Sequence, residues 1–166
     1  MLRIGESNKP FEKSITLIEE VTREMADQQL ISILKQGTEA WNKWKQDHPG
    51  APTPFNEAGL QGVDLHGANL LEANFSGADL SNANLSNANL SGSSLVGANL
   101  TGANLQGANL TDADLSGTNF SNANLQGATL NGALLLDTDL KGAQVSKSQI
   151  SQAKQAKIKD DIVIND

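Results

Sequence analysis

A bulky apolar residue stands at every fifth position from Leu60 to Ile150, nineteen times without interruption. An α-helix has about 3.6 residues per turn, so a period of five would spread these side chains around its whole circumference. A flat strand alternates its side chains, so an odd period would place successive bulky residues on opposite faces. Neither regular structure can therefore bury all nineteen side chains.

A chain that turns a corner every five residues does bury them. If each corner rotates the chain by roughly a quarter turn, about four quintets close one coil, and stacked coils can pair through backbone hydrogen bonds at about 4.7–4.9 Å. The pattern therefore predicts an all-β solenoid with a square cross-section. Its core ladder is predicted to include Leu60, Leu65, Leu70, Phe75, Leu80, Leu100, Phe120 and Leu140.

The other positions of the quintet agree with this geometry. Two residues before the bulky one, Ala occurs fourteen times, and the Ser and Thr residues that replace it are expected to bond to the backbone. Two residues after it, Gly occurs eleven times and Asn three times, which indicates a turn that needs a positive φ. The residue just before it is mostly Asn or Asp, whose side chains can bond to nearby backbone or stack between coils.

Segments such as ANLSN (83–87), ANLTG (98–102), ANLQG (103–107) and ADLSG (113–117) resemble the A-(D/N)-L-x-x signature of pentapeptide-repeat proteins, of the type common in cyanobacteria. The resemblance covers about residues 58–152. It implies a right-handed quadrilateral β-helix of about five coils with an N-terminal α-helical cap and a short C-terminal cap.

The predicted organisation has three parts: a helical cap with a proline-rich link at 1–54, the β-helix at 55–152 and a tail or cap at 153–166. In the first part, the residues after Pro10 suggest a helix, although Ser14–Ile18 is equally compatible with a short strand. A second helix is predicted from about Asp27 to Asp47. Its apolar residues recur at helical spacing and are expected to cover the first coil; they are Leu30, Leu34, Trp41 and Trp44.

The tail loses the period of five after Ile150. Ser151 is expected to cap a short helix that continues to about Lys159. The apolar run that follows would cover the last coil or pair with a second chain.

A few outward positions that are usually polar hold apolar residues. One interpretation is that the terminal segments cover them, and the other is a surface for a protein partner or a homodimer. The candidate interface residues are Leu71, Val96, Leu134, Leu136, Ile162 and Ile164.

Composition limits the function classes. The formal net charge is −7, and residues 58–140 contain no Lys or Arg but seven acids, so direct nucleic-acid binding is not expected. The chain has no Cys, and no phosphate-binding, metal-binding or catalytic motif is evident. We therefore expect no catalytic, cofactor or metal site. No signal peptide or membrane span is evident, which favours a cytoplasmic location.

The resulting hypothesis is a non-enzymatic structural or protein-interaction rod. Some proteins of the resembled family imitate DNA and bind DNA gyrase, which is the alternative. Residues twenty apart are predicted to be neighbours in adjacent coils, and no acid then lies directly above another. Each of His48 and His66 is interpreted as an isolated exposed side chain.

Overall fold

The computed structural model describes residues 27–158. Helix α1 occupies residues 27–35, followed by helix α2 (Thr38–Asp47), strand β1 (Leu134–Thr138), helix α3 (Lys147–Ile150) and strand β2 (Gln155–Ile158). The helix or strand predicted after Pro10 and the candidate residues Ile162 and Ile164 lie outside the described residues.

Between α2 and α3 the backbone forms a ladder of isolated parallel bridges. Each bridge joins a residue to the one twenty positions later, and the bridges recur every five residues from Pro54↔Asn74 to Asn124↔Gln144. The bulky residue donates its N–H upward, as in the 2.8 Å bond from Leu80 N to Asn99 O. A coil therefore holds twenty residues on four sides. Long strands are rare because the chain turns again after each bridge.

The bulky side chains fill the axis of the rod. From Leu60 to Leu140 none of them is more than 2% exposed, and Val145 is 8% exposed, whereas Ile150 is only half-buried in α3. The inner hydroxyl groups bond to backbone carbonyls as expected; Ser93 Oγ donates to Leu90 O and Thr118 Oγ1 to Leu95 O, both at 2.7 Å. The interior is thus packed and has its polar atoms satisfied.

The ladder begins one quintet earlier than the sequence predicted. Phe55 is fully buried, Thr53 is buried two residues before it, and Pro54 already pairs with Asn74. Pro54 is tolerated there because its nitrogen faces the open lower edge of the first coil, where no ladder hydrogen bond is lost.

The corners explain the Gly and Asn pattern. In every quintet from Glu57 to Gly142, the residue two after the bulky one has a φ between 52° and 73°. Glycine adopts this left-handed region without strain, and Asn tolerates it better than most residues. Glu57, Glu72, Asp112 and Asp137 adopt it too, at a cost in stability.

Gly97→Ala is expected to lower the free energy of unfolding by about 1–2 kcal/mol. Nothing lies within 4 Å of the added Cβ, so the loss comes from the φ of +66°. Gly59→Ala is the control, because Gly59 has no positive φ and the nearest atom to its added Cβ is the flexible Gln61 side chain at 3.4 Å. Urea unfolding followed by circular dichroism measures both; equal losses would show that φ is not the cause.

The prediction of one helix from Asp27 to Asp47 was wrong. The helix is interrupted at Gly37, whose φ of 101° and ψ of −179° are incompatible with a helix. The N–H groups of Gln36 and Gly37 donate to Ile33 O and Leu34 O and close α1. The break redirects the chain so that α2 lies against the first coil.

The predicted C-terminal helix from Ser151 to Lys159 was also wrong. Helix α3 is instead capped by Ser146, whose hydroxyl accepts from Gln149 N, while the Gln149 side chain accepts from Ser146 N. Strand β2 follows and pairs in parallel with β1, with Leu134 opposite Gln155. One residue more than the usual twenty separates these partners, because α3 replaces the regular corner.

Candidate interaction surfaces

The four sides of the rod can be named by four consecutive bulky residues. Side A carries Phe75, side B carries Leu80, side C carries Leu85 and side D carries Leu90. Residues twenty apart lie on the same side in adjacent coils, as the bridge pattern shows.

Sides B, C and D carry ladders of stacked amides. On side C, Asn84 Nδ2 donates to Asp64 Oδ1 at 2.9 Å, and Asn104 and Asn124 continue the ladder at 3.4 and 3.3 Å. On side D, Asn109 Nδ2 donates to Asn89 Oδ1 at 3.3 Å. The same oxygens also accept backbone N–H groups two residues later, as Asn89 Oδ1 does from Ser91 N and Asn104 Oδ1 does from Gln106 N. The stacking predicted from the sequence is confirmed, and it uses these polar groups within the rod.

Two of the acids, Asp64 on side C and Asp79 on side B, belong to these ladders. On side B, Asp79 accepts from Gln61 Nε2 at 2.7 Å, from Ser81 N at 3.0 Å and from Asn99 Nδ2 at 3.1 Å. The bond from Gln61, with the bonds from Ser81 and Asn99, lowers the pKa of the Asp79 carboxyl below its usual value. Asp137 pairs instead with Lys157, at 3.1 Å. The predicted neighbours of Asp64 and Asp79 are confirmed as Asn84 and Asn99.

Neither histidine is isolated. His66 Nδ1 lies 2.9 Å from Ser86 Oγ, and that hydroxyl donates to Asn84 Oδ1 at 2.7 Å, so the imidazole acts as the donor to it. An imidazole in this role does not activate the serine as a nucleophile. His48 stacks on Trp44 with ring centroids 4.6 Å apart. The contact of His66 with Ser86 could have been found from the sequence, because the two residues are twenty positions apart.

Helix α2 binds the edge of the first coil through side chains on one of its faces. Thr38 Oγ1 donates to His66 O at 2.9 Å, and Trp41 Nε1 donates to Asn69 O at 2.7 Å. Asn42 Oδ1 accepts from Asn69 N at 2.7 Å. Polar side chains of α2 thus bond to backbone groups that a preceding coil would otherwise bind. The sequence did not single out Thr38 or Asn42.

The predicted apolar cap residues lie around the same contact. Leu34 and Trp41 are fully buried, while Leu30 and Trp44 are half-buried against the core. Trp41 stacks on Trp44 at 5.2 Å and packs edge-on against Phe55 at 5.4 Å. Phe55 in turn stacks on Phe75 at 5.2 Å.

At the other end of the rod, α3 makes the corresponding contact with one side chain. Gln149 Nε2 donates to Leu125 O at 2.7 Å and to Ala128 O at 2.9 Å. These carbonyls belong to the last regular coil. Gln149 therefore joins the α3 capping box to the β-helix.

Among the predicted interface residues, Leu71 is 41% exposed and Val96 is 40% exposed. Leu134 and Leu136 are half-buried in β1, and β2 pairs with their backbone. Val96, Leu134 and Leu136 lie on side A, whose column before the bulky residue reads Asn74, Ser94, Asp114 and Leu134. Side A therefore has no continuous amide ladder, unlike side C.

The family model for pentapeptide repeats matches residues 58–95, 83–122 and 118–154, with eight copies. The chain belongs to the pentapeptide-repeat family. Members of this family fold as right-handed quadrilateral β-helices, and the twenty-residue pairing described above has the corresponding four-sided geometry.

Solved structures of this family resemble the chain. A pentapeptide repeat protein of the Arabidopsis thaliana thylakoid lumen is 39% identical with a TM-score of 0.52, over 52% of this chain and 61% of that protein. Rfr23 from the cyanobacterium Cyanothece 51142 is 35% identical with a TM-score of 0.36, over 68% of this chain and 95% of its own. A third, from Nostoc PCC 7120, is 32% identical with a TM-score of 0.37, over 73% and 97%. No curated protein gives a significant match.

Within residues 27–158, no group of three His, Asp or Glu side chains is arranged to hold a metal ion. Across the same range, no helix combines the length and the apolar character that crossing a membrane requires.

Proposed function

We propose that this pentapeptide-repeat protein is a non-enzymatic rod of nearly five coils that acts by recognising another protein. Helices α1 and α2 cover its N-terminal end, and α3 with β2 covers its C-terminal end. The observation that supports this most is the continuous filling of the axis from Phe55 to Leu140, which leaves recognition to the outer sides. The partner is a protein, and a second copy at a capped end is one candidate.

Side A is the proposed partner surface. Its outer column holds Val96, which is 40% exposed, and Leu136 two coils further along, with Leu134 in the neighbouring column. Apolar patches rimmed by polar residues are typical of interaction surfaces. Sides B and C offer mainly amides and hydroxyl groups, many of which already bond to each other.

Val96→Lys is expected to reduce capture of the partner from native-cell extract by at least about tenfold, since a buried contact of this size contributes on the order of 1.5–3 kcal/mol. Gln106→Lys is the matched control, because it adds the same charge to an exposed position on side C. Quantitative mass spectrometry of pull-downs compares the two variants with the wild type. Equal capture by both variants would exclude side A as the surface, and unchanged thermal unfolding would verify that both are folded.

We expect no inhibition of gyrase supercoiling by the protein, even at high concentration. A DNA mimic must present closely spaced negative charges, whereas Asp64 and Asp79 each lie next to an amide one coil away. A supercoiling assay with relaxed plasmid measures this directly. Concentration-dependent inhibition would instead support the DNA-mimic alternative, and Asp114→Asn would then serve to locate the surface.

A further inference from the structure

A regular coil bonds to the coil below it through a fixed set of backbone groups. On side B, Asp79 N donates down to Ala58 O at 2.9 Å, and Asp79 O accepts from Leu60 N at 2.8 Å. Ser81 O accepts from Gly62 N, also at 2.8 Å. Each side of a coil thus presents one N–H and two carbonyl groups downward. Within residues 27–158, the first coil has no earlier coil to which these groups could bond.

Helix α2 occupies the space below sides C and D of the first coil. Thr38 Oγ1 donates to His66 O on side C. Trp41 and Asn42 bond to both backbone groups of Asn69 on side D. A strand is therefore excluded from these two sides.

Side B differs from the other three sides. Within residues 27–158, no hydrogen bond uses Gly59 N, Gly59 O or Gln61 O. Gly59 is exposed and has no side chain to obstruct an approaching backbone, and the Gln61 side chain bonds to Asp79 in the coil above. These three groups form the complete downward set, whereas side A begins with Pro54, which has no N–H to donate. Side B can therefore accept one further strand.

We propose that this edge binds an extended segment of another protein, which pairs in parallel beneath Ala58–Gly62. Parallel pairing continues the register of all the bridges of the rod. The first residue of the bound quintet then accepts from Gly59 N, and its third and fifth residues donate to Gly59 O and Gln61 O. This site lies at the end of the rod and does not depend on the partner surface on side A.

The position of α2 decides what kind of chain can reach the edge. A second copy of the rod would bring a whole coil against this end, and the other sides of that coil would meet α2 below sides C and D. A single strand that leaves the rod at both of its ends avoids α2. The occupant is therefore an extended segment without a coil around it, rather than a second copy.

The position beneath Leu60 requires a small residue. The third residue of each quintet in the rod points to the axis, as Leu80 does above Leu60. Leu60 is itself only 1% exposed, although no regular coil lies beneath it within residues 27–158. The axis below Leu60 is thus already filled, so Gly or Ala fits at the third position of the bound quintet and a bulky side chain does not.

Two exposed acids border the edge. Glu57 comes directly before Ala58–Gly62, and Asp64 follows after one residue. Residues 46–140 contain no Lys or Arg that could neutralise them. A segment with Lys or Arg on each side of its small central residue is complementary to these charges, which favours its association with the edge.

The peptide acetyl-Lys-Thr-Thr-Ala-Thr-Thr-Lys-amide has these properties and is the probe. In an NMR titration of the full chain, we expect it to shift the Gly59 amide resonance with a Kd on the order of 1 mM. A peptide with Pro in place of the central Ala lacks the N–H that donates to Gly59 O, and one with Leu there is too bulky. Each control peptide should bind at least about tenfold more weakly.

Glu57→Gln in the protein is expected to weaken binding of the probe about two- to threefold at low salt. Glu72→Gln is the matched control, because both acids are exposed and adopt a positive φ at a corner, but Glu72 lies between sides D and A. It should leave the binding unchanged. An equal effect of the two variants would contradict the proposed basic character of the partner.

Three results would overturn the proposal as a whole. The first is an unchanged Gly59 resonance at about 10 mM probe, and the second is equal binding of the probe and the Pro peptide. The third is slow amide exchange of Gly59 without any peptide, which would show that the edge is already occupied. Loss of that protection on dilution would then assign the edge to a second copy.

Discussion

Replacing Leu100 with alanine is expected to lower the free energy of unfolding by about 2–5 kcal/mol. The Leu100 side chain is 0% exposed in the middle of the rod, in a core that continues above and below it. Since neighbouring coils are fixed by backbone bonds on all four sides, they cannot collapse into the cavity. Urea unfolding monitored by circular dichroism measures the loss.

Val96→Ala is the matched control for this substitution. Val96 lies in the same coil, but it is 40% exposed, so its truncation is expected to cost no more than about 0.5 kcal/mol. A comparable loss from both variants would contradict the assignment of the five-residue ladder to the interior. An intermediate in the Leu100→Ala transition would show that the two halves of the rod unfold separately, as nearest-neighbour coupling allows.

Trp41→Ala is expected to cost about 3–5 kcal/mol. The indole is fully buried, contacts the rings of Trp44 and Phe55, and donates its N–H to Asn69 O at 2.7 Å. Its removal therefore opens a cavity between α2 and the first coil and leaves the Asn69 carbonyl without this donor. Thermal unfolding measures the stability, and the protection of the Asn69 amide reports whether α2 remains in place.

Two further substitutions separate the contributions of Trp41. Trp41→Phe keeps an aromatic ring but removes the N–H that donates to Asn69 O. The unsatisfied carbonyl should lower the free energy of unfolding by about 1–3 kcal/mol. Trp44→Ala should cost less than Trp41→Ala, because Trp44 is only half-buried. If Trp44→Ala were the more damaging change, Trp41 would not be the main contact between α2 and the coil.

The β-helix was predictable because one short rule is repeated along most of the chain. Each quintet has the same arrangement of a small, a bulky and a turn-forming residue, so an exception such as Glu72 or Leu134 does not obscure the five-residue pattern. Phe55 and Thr53 obey the rule as well. Thr53 was assigned to the link and Phe55 was left out of the core ladder because Pro52 and Pro54 indicate extended chain, although a proline at the outer edge of a sheet costs no ladder bond.

The ends of the rod were less predictable. The apolar residues Leu30, Leu34, Trp41 and Trp44 keep helical spacing across Gly37, and a glycine inside a helix costs only about 1 kcal/mol. The helix is interrupted at Gly37 because α2 makes contacts with the first coil, and the residues next to Gly37 in the sequence do not indicate these long-range contacts. The bonds of Asn42 and Gln149 to backbone groups were missed for the same reason, because single polar side chains leave no periodic signal.

The closed circuit of twenty residues restricts how a protein of this kind can change its length. Duplication of a whole circuit would lengthen the rod by about 4.8 Å and would keep residues that now lie above one another on the same side. Insertion of a single quintet between Val96 and Leu136 would instead rotate all later residues by a quarter turn about the axis, so that these two side chains would point in different directions. Changes in size and changes in the orientation of the outer residues are thereby separate steps in the history of such a chain.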